Sequence, residues 1–514
     1  MAGVRSYTLT STDKPRRRNR QAATIAEPAA TKRSAVTLSV EFSGGLDLTS
    51  IEAAAEALLT DVGIACQLPS ESAGKCAKAG LIVSADRIRF PVPSVMDLMA
   101  KAPERFTHAS RDGHHTLEVS TSMAAFGPAI TSGYIWTTQS RRPITAADAV
   151  RFAAVAADAP GLEYGASSIG LSVPNVDAGG RLANFVAAAN RPLIVPSRTP
   201  FHARDLIGAA CANAGRDETS CRLAILASVE SAMTFDDAFV DALVETASMA
   251  QCLVVAPTLL IGSNAPATLN GALVRFAAEA MAGVALAQVL CPRQPVAVGA
   301  TVADVSMRNG LPLMGTANAL AVLGGAIGLA RRWNLAFFAC GPATNAKGFD
   351  AMGTAETASW LTAAYYLGAN AVIGAIGAVD LDDGISIEKL IVDAEVAARL
   401  GRSFNQTNDD ACTELRAAGP GGIFLGTAAA RTIAHQQSSP RLASNSLFES
   451  WVDAGSPQID LAIAAIIAQT NLPALPATLA TGNVGLIDRR LANLADLAAE
   501  LYSQSVRDAF GFGG

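Results

Sequence analysis

From about residue 162 onward, short apolar runs alternate with longer stretches of helical period, the rhythm of parallel strands joined by covering helices. The strand-like runs are 164–171, 192–197, 222–229, 252–261, 295–302, 335–340, 370–379 and 421–425. Between them the segments 235–250, 267–290, 317–333, 355–367 and 387–400 are each apolar on one face. This pattern predicts an α/β fold, a closed (β/α)8 TIM barrel. An open doubly wound sheet alternates in the same way, but no G-x-G-x-x-G follows an early strand, and eight units suit closure. Upstream, a helix over 50–62, a hairpin over 81–90 turning at Ala85-Asp86 and a helix over 93–102 predict an α/β cap. Downstream, 443–468 and 488–508 read as helices joined by a Pro-containing connector at 472–476. The expected organisation is a basic arm (1–35), an N-terminal α/β cap (36–160), the barrel (161–430) and a C-terminal helical extension (431–514).

Composition narrows the class. Hydrophobic residues make up 50% of the 514 positions but aromatics only 5%, so the apolar content is Ala, Leu, Val and Ile, suited to packed helices and buried parallel strands. A formal net charge of -6 gives no broad basic surface for a nucleic-acid backbone. The Arg-rich run from Lys14 to Arg20 reads as a solvated arm or an intersubunit clasp. Eight cysteines without a C-x-x-C pair write neither a zinc site nor a redox motif. The start of the chain has no apolar core followed by a cleavage site, so a cytoplasmic location is expected. The uncharged stretch 361–379 approaches the length of a membrane span, but Leu367-Gly368-Ala369-Asn370 breaks it into a helix followed by a buried strand. Ala-rich helical faces favour a homo-oligomer.

In this fold, reactive groups sit on the loops after the carboxyl ends of the strands. That rule selects Arg198, Glu230, Asn264, Ser306, Arg308, Asn345, Lys347, Asp350 and Asp380. Glu230 and Asp380 can face a cation, and Arg308 can clamp a carboxylate through two hydrogen bonds or simply pair within its own loop. Lys347 can act as acid, base or anion anchor, although loop lysines are commonly just solvated. Asp382-Asp383-Gly384 also makes an ordinary turn, with Ser386 capping the next helix. None of the five histidines has metal-ligand spacing, so no metal site is expected.

Several blocks carry a family resemblance. The helix opening Asn264-Ala265-Pro266-Ala267-Thr268-Leu269-Asn270-Gly271-Ala272-Leu273, with Glu279 beyond it, resembles the signature of the trimethylamine methyltransferase family. The block Met307 to Pro312, Lys347 to Asp350 with Glu356, Ile387 to Asp393 with Glu395, and Gly419-Pro420-Gly421-Gly422 before Phe424-Leu425 follow in that family's order. The chain departs from its pattern at four places: Ser306 stands for an acid, Ala317-Asn318 for Pro-Glu, Met352 for glutamine, and Gly426 to Ala430 for a histidine-containing stretch.

The resemblance implies a TIM barrel that moves a methyl group from a methylated amine, trimethylamine or a betaine, to the cobalt of a corrinoid. The corrinoid would belong to a partner protein docked over the barrel mouth, so this chain binds no cofactor directly. Some family members carry pyrrolysine, whereas this chain is written entirely in standard residues. A quaternary ammonium already leaves as a neutral amine, so quaternary substrates are expected. Glu230, Asp380 and Lys347 are then the catalytic candidates, and Arg308, Ser306, Arg198, Asn345, Asp350 and Asn264 the substrate-binding ones. The competing expectation is a catalytically silent barrel that binds a methylated amine as sensor or scaffold.

Overall fold

The computed structural model describes residues 46–91, 94–137, 140–187, 190–212, 221–400 and 412–424, together with parts of 427–470. Seven apolar runs form parallel strands: β1 (Ala125–Pro128), β2 (Leu193–Pro196), β3 (Leu223–Val229), β4 (Cys252–Ile261), β5 (Val296–Val305), β6 (Phe337–Cys340) and β7 (Ala371–Ile376). Adjacent strands from β2 to β7 pair in order, and β7 then pairs with β1 in the register Ala371↔Ala125. The remaining gap is filled by a short extended segment. The amides of Glu163 and Tyr164 donate to the Phe126 carbonyl at 2.9 and 3.2 Å, and the Gly165 amide donates to Pro192 at 3.1 Å. Each side of residues 163–165 is thus hydrogen-bonded, and the ring closes as a (β/α)8 barrel with eight positions.

Alternation along the strands explains why the runs are apolar throughout. In β3, Ala224 and Leu226 point into the lumen with Tyr164, Val254, Phe338 and Ile373, while Leu223, Ile225 and Ala227 face the helical layer. Both faces are dry, so neither needs polar residues. An antiparallel hairpin, Arg105–Ala109 with Thr116–Ser120, closes the amino-terminal end of the barrel. Ala109 and Cys221 tie it down, the Ala109 amide donating to Cys221 at 2.8 Å and the Cys221 amide to Thr107 at 3.0 Å.

The covering helices start where the sequence supplies caps. Asp236, Thr268, Thr316 and Asp350 accept from backbone amides three residues on, and Gly368, at φ +96°, ends the Ala351–Leu367 helix. One helix, Leu269–Leu290, is largely apolar around its circumference, with Arg275, Glu279 and Gln288 among the exceptions, and long enough to cross a membrane, yet it is mostly buried. The reason is packing on two sides: the barrel lies beneath it, and Leu48–Asp61, Ser70–Lys78 and Ser94–Met99 cover its outer face. The cap is therefore a second layer on the barrel wall. Downstream, Ile459–Gln469 lays Ile463 into the same core.

Two strand expectations are corrected. The run expected at 164–171 is extended only at its start, and Ser167–Ser172 turns into a 3-10 helix. The run expected at 421–425 adds no strand in its described residues, 421–424. Its place in the ring is taken by β1, inside the stretch expected to be cap. The physical reason is brevity: Ala-Phe-Gly-Pro presents one large side chain in four residues, too little periodic signal to announce a strand. The helix expected at 488–508 and the arm at 1–35 lie outside the described residues.

Candidate functional site

At the carboxyl end of the barrel, the loops after β2, β3 and β4 build one wall. Asp236 caps its helix through Oδ1 and pairs through Oδ2 with Arg198, whose Nε also lies 4.0 Å from Glu230 Oε1. Thr258 Oγ1 donates to the same Glu230 oxygen at 3.1 Å. Glu230 and Arg198 are both about half exposed, and their charges already face each other.

Beneath this pair lies a buried network. The Asn264 side chain donates to the Glu230 carbonyl at 2.8 Å and accepts from the Leu260 amide and Arg275 Nη1, each at 2.8 Å. Arg275 also donates to the Thr258 and Asn264 carbonyls at 3.0 Å and, through Nε, to Glu279 Oε1 at 2.8 Å. The Met233 amide donates to that carboxylate oxygen at 2.7 Å, while Oε2 has no partner. Burial pushes the Glu279 carboxyl up to about 7, and Arg275 pulls the other way. The network binds the exit of β3 to the exit of β4.

The opposite wall is built by the loops after β6 and β7. Lys347 pairs with Asp380, and the Asp380 amide donates to Ala346 at 2.8 Å. Three successive non-glycine residues, Asp380, Leu381 and Asp382, take left-handed backbone at φ +54°, +56° and +77°. Such a run is costly and places Asp382 with its Oδ1 sealed from solvent and unpartnered. Burial drives the Asp382 carboxyl well above the ordinary carboxylate range, and neighbouring Asp383 pushes it the same way. Next to it, 384–385 pairs in parallel with Tyr134–Trp136, the strand that follows β1.

Between the walls stands a hairpin of β5 with Pro312–Leu313. Its tip exposes Met307, Arg308 and Leu311, and Arg308 makes no ion pair among the described residues. Ser306 shapes the tip, its carbonyl accepting from Gly310 at 2.8 Å. Asn345 pins the hairpin to the β6 loop by donating to the Pro312 carbonyl at 2.8 Å and accepting from the Met314 amide at 3.0 Å. The expected candidates thus gather at one end of the barrel but as separate groups. Arg198 meets Glu230, and Lys347 meets Asp380, on opposite sides of the ring; no described contact joins them. An open depression of about 670 Å³ lies to one side, lined by Leu58, Met233, Gly262, Pro266 and Val274 among others.

The sequence pattern of the trimethylamine methyltransferase (MTTB) family matches residues 11–493. The chain belongs to that family. A glycine betaine methyltransferase from Desulfitobacterium hafniense (strain Y51) is 25% identical over 388 residues, 73% of this chain and 81% of that one. The trimethylamine methyltransferase MttB1 of Methanosarcina mazei is 28% identical over 208 residues, covering 40% of this chain and 41% of its own. Among solved structures, a hydroxylamine complex of MtmB aligns with a TM-score of 0.43 at 13% identity, over 84% of this chain and 97% of that one.

In this member of the MTTB family, several signature residues serve the frame. Asn264 and Glu279 belong to the buried network, Asp350 caps its helix by accepting from the Gly353 amide at 2.7 Å, and Glu356 accepts from the Asn345 amide at 3.0 Å. In the 387–395 block, Lys389 is fully buried, donating to Asp393 at 2.5 Å and to Thr357 at 2.7 Å, while Asp393 accepts from the Gly377 amide at 2.9 Å. Of the residues expected to bind substrate, Asn345 and Asp350 use these side-chain atoms on backbone, and Asn264 uses them on backbone and Arg275. Sequence reasoning passed over Arg275, Tyr134, Trp136 and Arg141. A charged pair four residues apart in an otherwise largely apolar helix is the signal that marks Arg275 with Glu279, whereas Lys389 with Asp393 shares its helix with the further pair Glu395 and Arg399. Tyr134 and Trp136 escaped because the strand preceding them was not recognised.

Proposed function

We infer that this chain moves a methyl group from a methylated amine of the trimethylamine or glycine betaine class to the cobalt of a corrinoid carried by a separate protein. Membership of the MTTB family supports methyl transfer. The observation that carries the reading is the barrel mouth itself: two carboxylates, Glu230 and Asp380, stand at its opposite sides, each beside a cationic residue that can turn to the carboxylate of a zwitterion. The corrinoid would supply a strongly nucleophilic cobalt. The chain's residues then hold the amine, orient one methyl outward and exclude water. A quaternary nitrogen keeps the C–N electron pair as the methyl departs and leaves as a neutral amine, so it needs no proton. On this reading glycine betaine-like compounds are better substrates than trimethylamine, and the extent of similarity to the glycine betaine enzyme points the same way.

A second reading is a silent barrel that binds a methylated amine as sensor or scaffold. It is favoured by the same ion pairs, since both acids are already neutralised within the chain. Incubating the protein with cob(I)alamin and glycine betaine or trimethylamine, while following the methylcobalamin spectrum, separates the two. Methylation by the quaternary amine is the expected result; binding without methylation supports the sensor.

A further inference from the structure

The aromatic pair beyond β1 is where the chain holds a cation against ring faces. Arg141 lies on the strand antiparallel to Tyr134–Trp136, with its guanidinium carbon 3.8 Å from the centre of the Tyr134 ring and 5.4 Å from that of Trp136. Asp383 closes the other side as the partner of Arg141. Trp136 is wedged between the loops after β6 and β7. A methyl group on Gly348 would stand 3.8 Å from its Cε3, and any side chain at Gly384 would collide with the indole. Its buried Nε1 has no partner, and the unpartnered Asp382 oxygen belongs to the adjoining loop. Aromatic faces backed by carboxylates make a site of negative potential, and a quaternary ammonium, which has no hydrogen to donate, is recognised through such faces.

We propose that Tyr134, Trp136 and Asp383 form the cation subsite of the barrel mouth, and that Arg141 occupies it as a built-in competitor which a quaternary ammonium displaces. This rests on the reading of the chain as acting on methylated amines, and it names the part of the site that holds the charged end. The structural logic favours exchange over a fixed pair. Arg141 is about one-third exposed and Asp383 about half, so the guanidinium can swing into water at little cost, whereas the Trp136 indole is held by the glycine loops.

Calorimetric titration of the full chain with tetramethylammonium, using sodium as the ionic control, tests the subsite without any corrinoid. Replacing Arg141→Met removes the competitor and is expected to tighten binding about tenfold, and adding Trp136→Leu to it to reverse the gain, the scale of a desolvated cation–π contact. Tyr134→Phe should keep binding, because it keeps the ring. Thermal melts identify any variant that has lost its fold, and Arg141→Lys serves as a milder second test with a smaller gain expected. Unchanged or weaker binding in a folded Arg141→Met protein, or equal binding after loss of the indole, overturns the proposal. Running the methylcobalamin assay on the same proteins keeps the two readings apart. Methyl transfer indifferent to Trp136 and Arg141 sinks the subsite alone, while Trp136-dependent binding without transfer sinks the activity alone.

Discussion

Glu279 is held where its charge is expensive, and the sign of that expense is measurable. Its carboxyl ordinarily titrates near 4.5 and is raised in the fold to about 7, so the folded chain keeps a proton that the unfolded chain releases. The contribution is fully present below the unfolded value and is lost as pH rises through the folded one. The melting temperature of the native chain relative to Glu279→Gln should therefore fall between pH 4.5 and 7, and a flat difference would show that Arg275 fully compensates the charge. The Lys389–Asp393 pair is buried as well, and burial likewise raises the Asp393 carboxyl while Lys389 pulls it down. Lys389→Met strands a buried carboxylate that accepts from Gly377, with an expected loss of about 3–5 kcal/mol in denaturant unfolding. At Gly384 the constraint is steric: Gly384→Ala pushes a methyl into the Trp136 indole and should cost about 1–3 kcal/mol, read in the same experiment.

At the scale of elements, the loops divide between those that hold the frame and those that present charge. Asp350 belongs to the frame as the cap of Ala351–Leu367. Asp350→Ala should lower stability by about 1 kcal/mol while leaving the affinity for a methylated amine unchanged, a combination that a substrate ligand could not give. The longer helices were legible because their apolar stripes and caps agree; Ile387–Leu400 has the bounds its periodicity predicts. The hairpin at 81–90 was legible through its turn, and its strands Ile82–Val83 and Arg87–Arg89 pair antiparallel as expected. β1 was not legible, and one missed strand moved the count of the whole ring. The strand after it, with Tyr134 and Trp136, consequently reads in sequence as cap rather than as barrel mouth.

Across the whole molecule, stability depends on layering. Leu269–Leu290 stays dry only because the cap covers the face turned away from the strands. A chain lacking everything before Glu104 would expose that face, and such a fragment should aggregate or precipitate on size-exclusion chromatography more than the full chain. Large exposed apolar faces ordinarily find a partner, and here the partner is the amino-terminal fifth of the same chain.

The sequence by itself determined the class of fold, the family and the end of the barrel on which charge collects, because hydrophobic period, helix caps and the strand-end rule are local properties written in consecutive residues. Tertiary structure alone decided which charges meet. Arg198 finds Glu230, Lys347 finds Asp380 and Arg141 finds Asp383, across separations of 32, 33 and 242 residues that no local pattern encodes. Ring closure sets those distances, and closure runs through a four-residue strand that pairs with β7 across more than 240 residues of chain.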